Sequence, residues 1–64
     1  MEHKFFITMK ITSKTDKNVS YKTSLKYETN DLKEEVAKKF KKYEELCEKD
    51  PMSANVEIIE IEEV

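Results

Sequence analysis

The chain has 64 residues, with twelve Lys and fourteen Asp or Glu, a formal net charge of −2, and 41% charged against 38% hydrophobic residues. A domain of this size buries only about 60% of the surface its unfolded chain exposes, and one small core supplies about 3–5 kcal/mol. That excludes a deep enclosed catalytic cleft. No apolar run approaches the roughly 20 residues of a membrane-spanning helix, and Met1-Glu2-His3-Lys4-Phe5-Phe6 is too polar for a secretory signal, so a cytoplasmic protein is expected.

The first strand is expected where Phe5, Ile7, Met9 and Ile11 alternate with Lys4, Phe6, Thr8, Lys10 and Thr12. Period-two patterning with β-branched and aromatic residues marks a strand with one buried face. Ser13-Lys14-Thr15-Asp16-Lys17-Asn18 reads as a turn, with Asn18 able to take a left-handed conformation. Alternation then resumes, Val19, Tyr21, Thr23, Leu25 and Tyr27 against Ser20, Lys22, Ser24, Lys26 and Glu28, which completes a β-hairpin of undefined register. Asn30 or Asp31 is placed to cap a helix, and Asp31 with Glu34 has capping-box spacing. Leu32, Val36, Phe40, Tyr43 and Cys47, flanked by Leu46, cover about 100–120° of the helical wheel. Glu34–Lys38, Glu35–Lys39 and Glu45–Lys49 stand in the favourable four-residue order on the outer side. Pro51 ends the helix. In the last segment Val56 and Ile58 share one parity while Ile59 and Ile61 share the other, so this strand either carries a bulge or is buried on both sides.

These elements predict a single domain over residues 1–64 of α+β class. The expected fold is ββαβ, a three-stranded mixed sheet in the order 2-1-3 with one helix packed on one face. A helix of about 18 residues and a strand of about 8 both span roughly 27 Å, so one helix can roof one side. The second strand, with its wholly polar outer positions, suits an edge, and the apolar first strand suits the centre. The unroofed face should then show Lys4, Phe6, Thr8 and Lys10 from the first strand and Lys22 and Lys26 from the second. From the third strand it should show either Ile59 and Ile61 or Glu57. Phe6, Ile59 and Ile61 make this face the candidate interface.

Little in the chain carries chemistry. Glycine is absent, which excludes phosphate-cradling loops and dinucleotide fingerprints, and no cofactor is expected. Every basic residue is Lys, without the planar fork that reads guanine. His3 stands near a terminus with no orienting partner close in sequence, and the single cysteine, Cys47, lies on the apolar stripe near the helix C-terminus among acids, a setting that does not activate a thiol. One Cys and one His cannot complete a zinc site without several carboxylates, and the acidic C-terminal third lacks a calcium-loop pattern, so no metal is expected.

Charge is divided along the chain. Residues 1–43 hold eleven Lys and six acids, and residues 44–64 hold one Lys and eight acids. Pairing of the acidic last strand with the Lys-bearing first strand accounts for this division. The reading that results is a non-enzymatic protein-interaction module, a homodimer formed through the open face or by edge pairing, acting as a regulatory or inhibitory protein on another protein. The abundance of residues with AT-rich codons suits a phage or mobile element of a low-GC host. The alternative is a nucleic-acid binder using Lys4, Lys10, Lys22, Lys26 and Phe6 on the open sheet face.

Overall fold

The computed structural model describes residues 2–64. The alternating N-terminal half forms strands β1 (His3–Thr12) and β2 (Ser20–Thr29), paired antiparallel. Phe5, Ile7, Met9 and Ile11 stand opposite Tyr27, Leu25, Thr23 and Tyr21 on one face, and Lys4, Phe6, Thr8 and Lys10 stand opposite Glu28, Lys26, Ser24 and Lys22 on the other. The connecting loop is folded by its own polar side chains. Ser13 Oγ accepts from the N–H groups of Thr15 and Asp16, each at 3.2 Å. Asp16 Oδ1 accepts from the Asn18 N–H at 3.0 Å, and the Ser13 N–H closes the loop on the Val19 carbonyl at 3.0 Å. Among the described residues none has positive φ, Asn18 included, so a chain without glycine meets no backbone position that demands one.

Helix α1 (Lys33–Lys49) begins differently from expectation. Its N-cap is Leu32, with no side-chain cap, rather than Asn30 or Asp31. The Asp31 carboxylate is instead taken by the Lys39 ammonium, two turns into the helix. The hydrogen bond from Lys39 holds the Asp31 carboxyl below the usual carboxylate range, and the same contact holds the Lys39 ammonium above its own usual value. Among the described residues none of the three expected four-residue ion pairs closes within 4 Å. The C-terminal end of α1 is capped from the other side of the fold. Lys14 in the β1–β2 loop donates from Nζ to the carbonyls of Cys47 (2.5 Å), Glu48 (3.0 Å) and Asp50. A cation on the last free carbonyls satisfies their lone pairs and opposes the negative end of the helix dipole.

Strand β3 (Asn55–Glu63) pairs antiparallel with β1 on the side away from β2, so the sheet order is β2-β1-β3. The expected order and the helix on one face are both present. The pairings, however, are antiparallel throughout rather than mixed, because β2 and β3 run in the same direction only as separate flanks of β1. The parity switch in β3 is a bulge: Thr8 is opposite Glu60 and Met9 is opposite Ile58, leaving Ile59 as the extra residue. Ile58 and Ile61, three apart, thereby share the helix-facing side, and both pack on the core. Glu44 from α1 reaches this irregular stretch and accepts the Ile58 N–H at 2.6 Å, so a donor beside the bulge is satisfied by the helix.

The core consists of Phe5, Ile7, Met9 and Val36, joined by the partly buried Ile11, Tyr27, Phe40, Val56, Ile58 and Ile61. Phe5, Ile7 and Val36 are fully buried, each contributing about 1.5–3 kcal/mol. The backbone of α1 approaches β3 but not β2. The roof is therefore off-centre, and this shift governs the exposed surface.

Candidate interaction surfaces

On the open side of the sheet, the register assembles three rows across the strands. Lys26, Phe6 and Glu62 form one, Ser24, Thr8 and Glu60 the next, and Lys22, Lys10 and Glu57 the third. The candidate residues Lys4, Phe6, Thr8, Lys10, Lys22 and Lys26 thus share one face. Phe6 is 44% exposed and Ile59 is 46% exposed, so both are wet apolar side chains in the monomer. Ile61 is the exception. It pairs with Ile7 and packs on the core, so it belongs to the roofed side, because the bulge at Ile59 resets the parity of the residues after it. For the same reason Glu57 and Ile59 both lie outside the core, where the sequence posed them as alternatives. The face is electrically divided: lysines predominate on β2 and β1 and glutamates on β3, Lys10 stands directly opposite Glu57, and Glu28 at the end of β2 lies 3.7 Å from the Lys26 ammonium.

A second apolar surface was not anticipated. On the roofed side, Tyr21 is 58% exposed and Leu25 is 42% exposed, although they point the same way as the buried residues of β1. The N-cap Leu32 and, on the helix, Tyr43 and Leu46 are exposed as well. Tyr27 is partly buried and packs on the core, with an edge-to-face contact to Phe40 at 5.4 Å, and Phe40 makes a similar contact with Tyr43 at 6.4 Å. Alternation marked these β2 positions as inward-facing, and they are. What no periodicity carries is the lateral position of the helix. At one end of this flank, a shallow cleft of about 280 Å³ is lined by Ile11, Val19, Tyr21, Pro51 and Met52.

His3 does have a partner: its Nδ1 lies 2.8 Å from Glu63 Oε2, and its ring stacks on Phe5 at 6.1 Å. The partner comes from the far end of the chain, next to His3 only because β3 pairs with β1, so local sequence could not show it. Neither group adjoins a nucleophile, and the pair fastens the two chain ends. Cys47 is buried on the helix stripe, and its hydrogen bond raises the phenol of Tyr43 above its ordinary value, with smaller contributions from the thiol's charge and from burial. No group of three or more His, Cys, Asp or Glu is placed to hold a metal ion among the described residues. No helix of the described residues is long and apolar enough to cross a membrane.

The accessible surface totals 5019 Å². A compact monomer of 7.6 kDa exposes about 4,300 Å², so the surplus is about 700 Å². That surplus approaches the roughly 800 Å² that each partner contributes to a standard protein interface. Comparison with family models, with curated proteins and with solved structures found no match.

Proposed function

We propose that this chain is a small non-catalytic protein-interaction module, a cytoplasmic homodimer that regulates or inhibits another protein, of the kind phages and mobile elements encode. The observations that support it are the surplus of exposed surface and the exposed apolar side chains on both sides of a sheet that one off-centre helix half roofs. Phe6 and Ile59 on the open face serve self-association, and Tyr21, Leu25, Tyr43 and Leu46 offer a separate apolar flank to a second protein. Sedimentation at micromolar concentrations tests the self-association. The wild-type chain should sediment as a dimer, and Phe6→Glu should shift it to monomer by placing a charge at the centre of the contact. A strict monomer at about 100 μM would defeat the reading, since dissociation constants of standard interfaces run from μM to pM.

The alternative function is nucleic-acid binding, favoured by the convergence of Lys4, Lys10, Lys22 and Lys26 around Phe6 on one face. Cationic tracks with stacking aromatics bind single strands. Glu57, Glu60 and Glu62 occupy the same face and oppose phosphate. Titration of a single-stranded oligonucleotide at low salt separates the two readings: binding that falls steeply with salt supports the alternative, and no binding removes it.

A further inference from the structure

We infer that the open face closes on a second copy about a two-fold axis parallel to β1, with Lys22 and Lys26 of each copy facing Glu57 and Glu62 of the other. This rests on the self-association just proposed and specifies its geometry. With the strands of the two copies kept aligned, two face-to-face two-fold arrangements are available to such a sheet. An axis lying in the plane and across the strands sets β2 on β2 and β3 on β3, which stacks Lys22 on Lys26 and Glu57 on Glu62. An axis along the strands preserves position along the strand and exchanges the flanks. The lysines of β2 then meet the glutamates of β3 row for row, because Lys26 shares a row with Glu62 and Lys22 shares one with Glu57. Opposite charges attract and like charges repel in the same rows, so the charge division of the face selects the second arrangement.

The apolar side chains fit it as well. Phe6, between Lys26 and Glu62 on the central strand, lies near the axis and meets its own copy, while Ile59, on the edge strand β3, falls on the flank that faces β2 of the other copy. Lys10 approaches its own copy but has Glu57 directly opposite it in the sheet. Three strands spaced about 4.8 Å apart and about nine residues long present a face of roughly 14 by 30 Å, about 420 Å² per copy, which is smaller than a standard interface and of the size of weak, transient ones. A rim of exchanged charges and a small apolar centre make association weak and sensitive to salt.

Charge reversal tests the axis. K22E/K26E makes both flanks acidic, and E57K/E62K makes both basic, so each variant alone should be monomeric while their mixture forms a heterodimer. Circular dichroism confirms that each is folded. Zero-length carbodiimide cross-linking of mixed ¹⁴N- and ¹⁵N-labelled wild-type chains needs no substitution, and it should join Lys26 to Glu62 and Lys22 to Glu57 between differently labelled copies. Variants that dimerise alone as the wild type does, a mixture that stays monomeric, or inter-copy cross-links confined to other residues would each overturn this axis and leave self-association standing. A monomeric wild type would overturn both.

Discussion

Lys14 supplies the sharpest test of how this small fold is held. Its ammonium caps the carbonyls of Cys47, Glu48 and Asp50, joining the β1–β2 loop to the C-terminal end of α1. Lys14→Met keeps the length of the side chain and removes the charge and all three donors. A favourable cation at a helix C-terminus contributes up to about 2 kcal/mol, and a hydrogen bond to a charged group contributes about 1.5–3 kcal/mol before the three overlapping contacts are discounted. A net loss of about 1–2 kcal/mol is the consistent figure. In a domain whose total is about 3–5 kcal/mol, that lowers the melting temperature by about 5–15 °C. Thermal unfolding followed by circular dichroism measures it. Lys17→Met in the same loop, at an exposed position, is the control. Hydrogen exchange adds a local readout: the Asp50 N–H, bonded to the Leu46 carbonyl at 3.1 Å, should exchange faster once the cap is gone. Melting of Lys14→Met within about 1 °C of the Lys17→Met control would refute the capping role.

In the core, Ile7→Ala should cost about 2–5 kcal/mol, which sharply lowers or abolishes the urea transition, whereas Ile7→Val should cost about 0.5–1.5 kcal/mol and only shift its midpoint. Deletion of Ile59 removes the bulge and leaves Val56, Ile58 and Ile61 in unbroken alternation, all facing the helix, so stability in the same assay should change by less than about 1 kcal/mol; a loss of about 2–4 kcal/mol would show that the bulge itself is needed. For Asp31, the lowered carboxyl makes its contribution complete above the unfolded value of about 3.9 and lost as pH falls through the folded value. The raised Lys39 ammonium makes the same pair's contribution complete below its ordinary value and lost as pH rises through the folded one. The stability gap between wild type and Asp31→Asn should therefore be constant from about pH 5 to 9 and narrow at both extremes; a gap unchanged at pH 2 would rule the ion pair out as its source.

The order of elements, the hairpin, the strand order and the irregularity in β3 were all legible in the residues. Period-two and period-3.6 patterns report directly which side of a strand or helix is apolar, and Phe5, Ile7, Met9 and Val36 are buried accordingly. The polar open face was equally legible, since Lys4, Phe6, Thr8 and Lys10 alternate with the core residues of the same strand. What periodicity cannot carry is anything set by the pairing of distant segments. His3 meets Glu63, Lys14 meets the end of α1, and Lys39 prefers Asp31 over the nearer Glu35. Each depends on where two elements come to rest against one another. The same holds for Ile61, whose side of the sheet turns on the residue at which β3 bulges. It holds above all for α1, whose lateral position leaves Tyr21 and Leu25 half uncovered. A side chain's face is a property of local backbone geometry, which the sequence determines alone. How completely a neighbour covers that face is a property of packing, which only the folded chain decides.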